Sequence, residues 1–132
     1  MGFGCLLDPS STEPPSFLVI GDSHADAMFP AFAKISRESG RQGRLVHHLA
    51  CPTLIHINGA PAGIEGCVRM QLAALEVIER DHIGDVFLVA RFTNYEPVNL
   101  FPARLEKTIA TYAALGTRLH IVARFPSNHT SI

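Results

Sequence analysis

Phe17-Leu-Val-Ile20 is apolar at every position, ends on Gly21, and gives way at Ser23 to a stretch compatible with a helix. A run without polar alternation suits a strand covered on both faces, which is the situation of a parallel sheet between helical layers. Gly21 allows backbone angles and close approaches that a Cβ would forbid. Asp22 and Ser23 are both residue types that cap a helix start. A buried strand turning sharply into a helix restricts the chain to α/β architectures, and the rest of the sequence repeats that rhythm.

Residues 1–16 carry Pro9, Pro14 and Pro15 with several Ser and Thr, and read as an extended lead-in to a domain spanning 17–132. The first strand is Phe17–Ile20. The helix after Ser23 places Met28, Phe32 and Ile35 on one face and stops near Gly40. Pro30 lies inside that run, so a kink or a break after a short first turn is expected. Arg44–Leu49 is a second strand, and Ala50–Gly66 is a loop punctuated by Pro52, Gly59, Pro61 and Gly63.

A helix with Val68, Leu72, Leu75 and Ile78 facing inward follows, then a third strand over Asp85–Arg91. Phe92–Asn99 is a second long loop. Pro102 opens a helix whose stripe is Leu105, Ile109 and Tyr112, and Arg118–Arg124 is a fourth strand. Four strands alternating with helices predict a three-layer α/β/α fold around a parallel sheet. Right-handed crossovers then gather the loops that follow the strands along one sheet edge.

A length of 132 residues fits one domain. The net charge of −1 gives no basic face for a nucleic-acid partner. No apolar run is long enough to span a bilayer, and the N-terminus lacks the basic start and apolar centre of a signal peptide. Of the three cysteines, Cys5, Cys51 and Cys67, none has the spacing of a zinc site. Cys51 and Cys67 flank the Gly/Pro-rich loop and read either as a staple or as two buried thiols.

Gly21-Asp22-Ser23-His24 after an apolar strand resembles block I of the SGNH (GDSL-type) esterase and acyltransferase superfamily. More narrowly, Leu18-Val-Ile-Gly-Asp-Ser-His-Ala-Asp-Ala27 resembles the SGNH domain fused to membrane acyltransferase-3 proteins, which O-acetylate bacterial surface glycans. Ala50-Cys51-Pro52, Gly66-Cys67 and Val86-Phe-Leu-Val-Ala-Arg-Phe92 match the same pattern in order. The resemblance implies a flavodoxin-like SGNH fold with Ser23 as nucleophile and acyl carrier. Around it Gly21, Asp22 and His24, with Arg91, Asn94 and Gly59 from later loops, are candidate oxyanion or substrate contacts.

A serine hydroxyl needs a base, which the superfamily supplies from a late Asp-x-x-His motif. This sequence contains no Asp-x-x-His and ends at Ile132, where the family pattern continues into another strand, that motif and a last helix. The resemblance therefore implies a domain incomplete at its C-terminus, with an incomplete triad and an inactive truncated form among the expectations. His24, next to the nucleophile, reads as a cap or supporting donor. The implied partners are an acyl donor, a carbohydrate acceptor and a membrane acyltransferase domain of the parent protein, at an extracytoplasmic face, with no cofactor and no metal. An extracytoplasmic setting favours a Cys51–Cys67 bridge.

Two other readings stand beside this one. The domain is a non-catalytic α/β fragment of such a protein, or Asp22-x-His24 belongs to a metal-dependent phosphoesterase. The second would require further ligand motifs, and Gly84-Asp85 and Asn128-His129 supply only pieces of them.

Overall fold

In the computed structural model, residues 4–48, 54, 65–90 and 101–123 are described. In chain order the elements are β1 (Cys5–Leu6), β2 (Pro15–Gly21), α1 (Ser23–Ala27), α2 (Phe29–Ser39), β3 (Gln42–His47), α3 (Glu65–Asp81), β4 (Asp85–Ala90), α4 (Phe101–Ala114) and β5 (Arg118–Ala123). They build one sheet of order β1-β3-β2-β4-β5. β3, β2, β4 and β5 run parallel, and β1 joins the edge antiparallel to β3. The α/β architecture expected from the sequence is therefore present, with one more strand than the four expected. The stretch read as a lead-in supplies β1 and the first residues of β2.

Successive side chains of a strand point to opposite faces, and the core divides accordingly. Phe17 and Val19 of β2 pack with Leu7, Ala25, Phe32, Leu45 and Val89 on the face covered by α1 and α2. Leu18 and Ile20 pack with Val86, Leu88, Met70, Ala74, Ile78 and Tyr112 on the face covered by α3 and α4. All four apolar residues of the opening run are 3% exposed or less, as a doubly covered central strand requires.

The expected helix break falls at Met28. Its amide closes α1 on the carbonyls of His24 and Ala25, and Pro30 then sits in the first turn of α2, where its missing N–H costs nothing. Gly40, at φ 74°, takes the left-handed conformation that ends α2.

The inward stripes differ from the expected ones in each long helix. Ile35, Leu72 and Ile109 are exposed by 52%, 46% and 45%. The inward places go to polar side chains that find partners. Ser36 donates its hydroxyl to the Arg41 carbonyl at 2.6 Å, Gln71 donates its amide to the Leu54 carbonyl at 2.7 Å, and Thr108 donates back to Arg104 at 2.8 Å. A satisfied polar group can be buried at little cost, so apolar spacing alone misjudged the rotation of these helices.

Candidate active site

The first crossover, from β2 to β3, packs α1 and α2 on one face, while α3 and α4 return the chain on the other. Neighbours β2 and β4 thus send the chain in opposite directions, and the crevice beyond their carboxyl ends is the topological switch point where α/β sheets hold ligands. The Gly21-Asp22-Ser23-His24 turn lies there.

Gly21 pairs with Val89 of β4 on one side and His47 of β3 on the other. A Cβ on Gly21 would run into the Val89 carbonyl oxygen and lie 2.8 Å from the Ala25 side chain. The glycine is therefore required by close approach of two backbones. Just beyond it, the Asp22 amide donates to the Val89 carbonyl at 3.3 Å, and the His48 amide donates to the Gly21 carbonyl at 3.1 Å. The turn is fastened to both neighbouring strands.

Asp22 caps α1 from an extended backbone conformation, and its side chain is fully buried. Its Oδ1 accepts the His24 amide at 2.8 Å and stands 3.0 Å from His24 Nδ1. Ser23, between them, is exposed, and its hydroxyl has no hydrogen-bond partner among the described residues. A buried carboxylate and an imidazole thus hold the turn from behind while the hydroxyl faces outward.

Sequence reasoning missed two other side chains at this edge. His47 is carried there by its register with Gly21, and its Nδ1 lies 3.8 Å from Asp26 Oδ1 on α1. His48 turns toward α3, where its Nε2 sits 2.7 Å from the position a Gly66 Cβ would take. The Gly66-Cys67 pair thus has a steric reason for its glycine. The available signal was the parallel pairing of β2 with β3, which puts the residues ending β3 beside the turn.

Of the other candidates, Gly59, Arg91, Asn94 and Cys51 lie outside the described residues. Cys67 is buried and disulfide-bonded, and Cys5 is a free, exposed thiol. Among the described residues no three His, Cys, Asp or Glu side chains come together as a metal site, and no helix is long and apolar enough to cross a membrane.

The family model of the SGNH domain (fused to AT3 domains) matches residues 3–131. The chain belongs to this SGNH family. The match spans nearly all of the sequence and includes the turn, the sheet and both helical layers. It also associates the domain with AT3 acyltransferase domains, the partner type expected from the motifs, and hence with a membrane-associated parent. No curated protein matches the chain.

Proposed function

We propose that this SGNH domain carries an acyl group on Ser23 and passes it to a hydroxyl of a cell-surface polysaccharide. The observation that carries the reading is the placement of Ser23, exposed at the switch-point crevice, one residue after a buried carboxylate and two after a glycine wedged against β4. The hydroxyl attacks the acyl carbon, and the oxygen that becomes negative needs amide donors, of which the Ser23 N–H is the first. The acyl-Ser23 ester is then attacked by a sugar hydroxyl in place of water. Gly21, Asp22 and His24 shape the turn in this reading, and Arg91, Asn94 and Gly59 are assigned to substrate or oxyanion from the family pattern.

Fusion to AT3 domains supports delivery of the acyl group by a membrane partner, and the disulfide at Cys67 supports an extracytoplasmic, periplasmic location. Cys51 is its assigned partner. The test is acetyl transfer from p-nitrophenyl acetate, with peptide mapping of the adduct. Acetylation of the Ser23 peptide in the wild type, absent in Ser23→Ala, is the expected result. Equal nitrophenol release by the two proteins, with no adduct on that peptide, would overturn the reading.

A further inference from the structure

At the amino edge of the sheet, the end opposite Ser23, two guanidinium groups and an imidazole converge on one carboxylate. Asp85 opens β4 with its side chain only 7% exposed. Arg118, its register partner on β5, holds it with two bonds, Nε to Oδ1 at 3.1 Å and Nη2 to Oδ2 at 3.4 Å. Arg41, just before β3, reaches across β2, where its Nε donates to the Ser16 hydroxyl at 3.1 Å. Its Nη2 donates to Asp85 Oδ2 at 3.0 Å, and His120 Nε2 stands 3.0 Å from Oδ1.

One guanidinium is enough to neutralise a carboxylate, as on α3, where Arg80 and Asp81 match one to one at 2.9 and 3.0 Å. Around Asp85 two permanent positive charges stand against one negative, and among the described residues Arg41 and Arg118 have no other acidic partner. A guanidinium carries five N–H donors. Arg118 commits two of them to Asp85, and Arg41 commits three to Ser16 and Asp85. The rest have no acceptor among the described residues, on side chains 79% and 49% exposed.

These groups are also held in place. Both Nη2 atoms share Asp85 Oδ2, so they lie no farther apart than their two distances to it combined. The Phe17 ring centroid lies 5.7 Å from the Arg41 guanidinium carbon, and Phe87 stacks on His120 at 4.5 Å. A planar fork fixed through some of its nitrogens offers the others in a set direction, which suits bidentate recognition of an oxyanion.

We propose that Arg41 and Arg118 form a phosphate-binding site at the amino edge of the sheet, in which the buried Asp85 holds two guanidinium forks side by side for one phosphate group. The excess positive charge matches a phosphate monoanion. Its oxygens outnumber those of a carboxylate, so one group accepts from both forks. The site is independent of any role for Ser23. The phosphate belongs either to a lipid headgroup, which a membrane-associated parent brings near, or to a soluble phosphate-bearing molecule.

The test is titration of the full chain with inorganic phosphate, read from the arginine Nε–H signals, against sodium chloride at equal ionic strength. Saturable shifts of Arg41 and Arg118 are expected, with Arg80 unmoved. Arg118→Lys keeps the charge but loses the fork, so it is expected to melt cooperatively and to weaken phosphate binding by about tenfold. Absence of saturation, or shifts that chloride reproduces, would leave an ion-pair network only and overturn the site. Wild-type affinity in Arg118→Lys would reduce the effect to charge attraction and overturn it as well. Sedimentation with phosphatidylglycerol vesicles, lost in Arg118→Lys and in excess phosphate, supports the site and assigns the headgroup. Phosphate binding without vesicle binding supports it with a soluble ligand.

Discussion

The main-chain amide of Asp22 donates to the Val89 carbonyl at 3.3 Å, and that same oxygen is what a side chain on Gly21 would strike. One atom of β4 therefore sets both the position of the turn and the identity of the residue before it. Gly21→Ala must push β2 away from β4 or twist the turn, since the obstacle is backbone and has no rotamer to change. The expected loss is about 3 kcal/mol, at the upper end for an overpacked site, read as a lower urea midpoint. Loss of acyl transfer should accompany it, and a midpoint equal to that of the wild type would show that the strands yield without cost.

At the opposite end of the sheet, Asp85 collects His120 Nε2 at 3.0 Å, Arg41 at 3.0 Å and Arg118 at 3.1 Å. Burial by itself would raise the Asp85 pKa, but hydrogen bonds from His120, Arg41 and Arg118 outweigh it and hold the carboxyl at about 2. Because the folded value lies below the ordinary 3.8, the stabilisation is complete above pH 4 and is lost as the pH falls through about 2. It amounts to about 1–2 kcal/mol, reduced from the full shift because both guanidinium groups are solvated. Asp85→Asn should lower the melting temperature at pH 7, with the gap to wild type closing by pH 2. A constant gap across that window would refute the assignment.

Tyr112 is fully buried in α4, yet its hydroxyl finds no hydrogen-bond partner among the described residues, and burial pushes its pKa up. A buried hydroxyl without a partner has given up its water for nothing. Tyr112→Phe keeps the ring and removes the oxygen, so it should leave stability unchanged or raise it by about 1 kcal/mol in thermal melts. A loss of stability would mean that the hydroxyl has a partner in solution.

The centre of the sheet could be read from the sequence because β2 and β4 carry unbroken apolar runs, Phe17–Ile20 and Val86–Ala90, a property visible without knowledge of their neighbours. β1 could not. Cys5-Leu6 is too short to carry a pattern, and its place at the edge depends on distant contacts, such as the Gln42 side chain bonding both the amide and the carbonyl of Asp8 at 3.0 and 2.7 Å. The turn at Ser23 was legible for a local reason, since glycine, cap and strand are consecutive. The arrival of His47 and His48 beside it was not, because it follows from strand register. Ser36, Gln71 and Thr108 escaped notice because their burial depends on acceptors that spacing does not reveal.

Cys67 opens α3 from a buried position, against Gln71, whose amide contacts its sulfur at 3.6 Å and holds the Leu54 carbonyl at 2.7 Å. With Cys5 a free thiol and Cys67 disulfide-bonded, the proposed bridge to Cys51 would close the stretch of chain between the two. Closing a loop of that length stabilises by roughly 3 kcal/mol in the chain-entropy picture. Thiol titration of the unfolded, unreduced protein should therefore find one reactive group, at Cys5, and reduction should expose the rest. Cys67→Ser should lower the urea midpoint, whereas Cys5→Ser, at an exposed position, should leave it unchanged. Three reactive thiols before reduction would dissolve the bridge and, with it, the support it lends to an oxidising location.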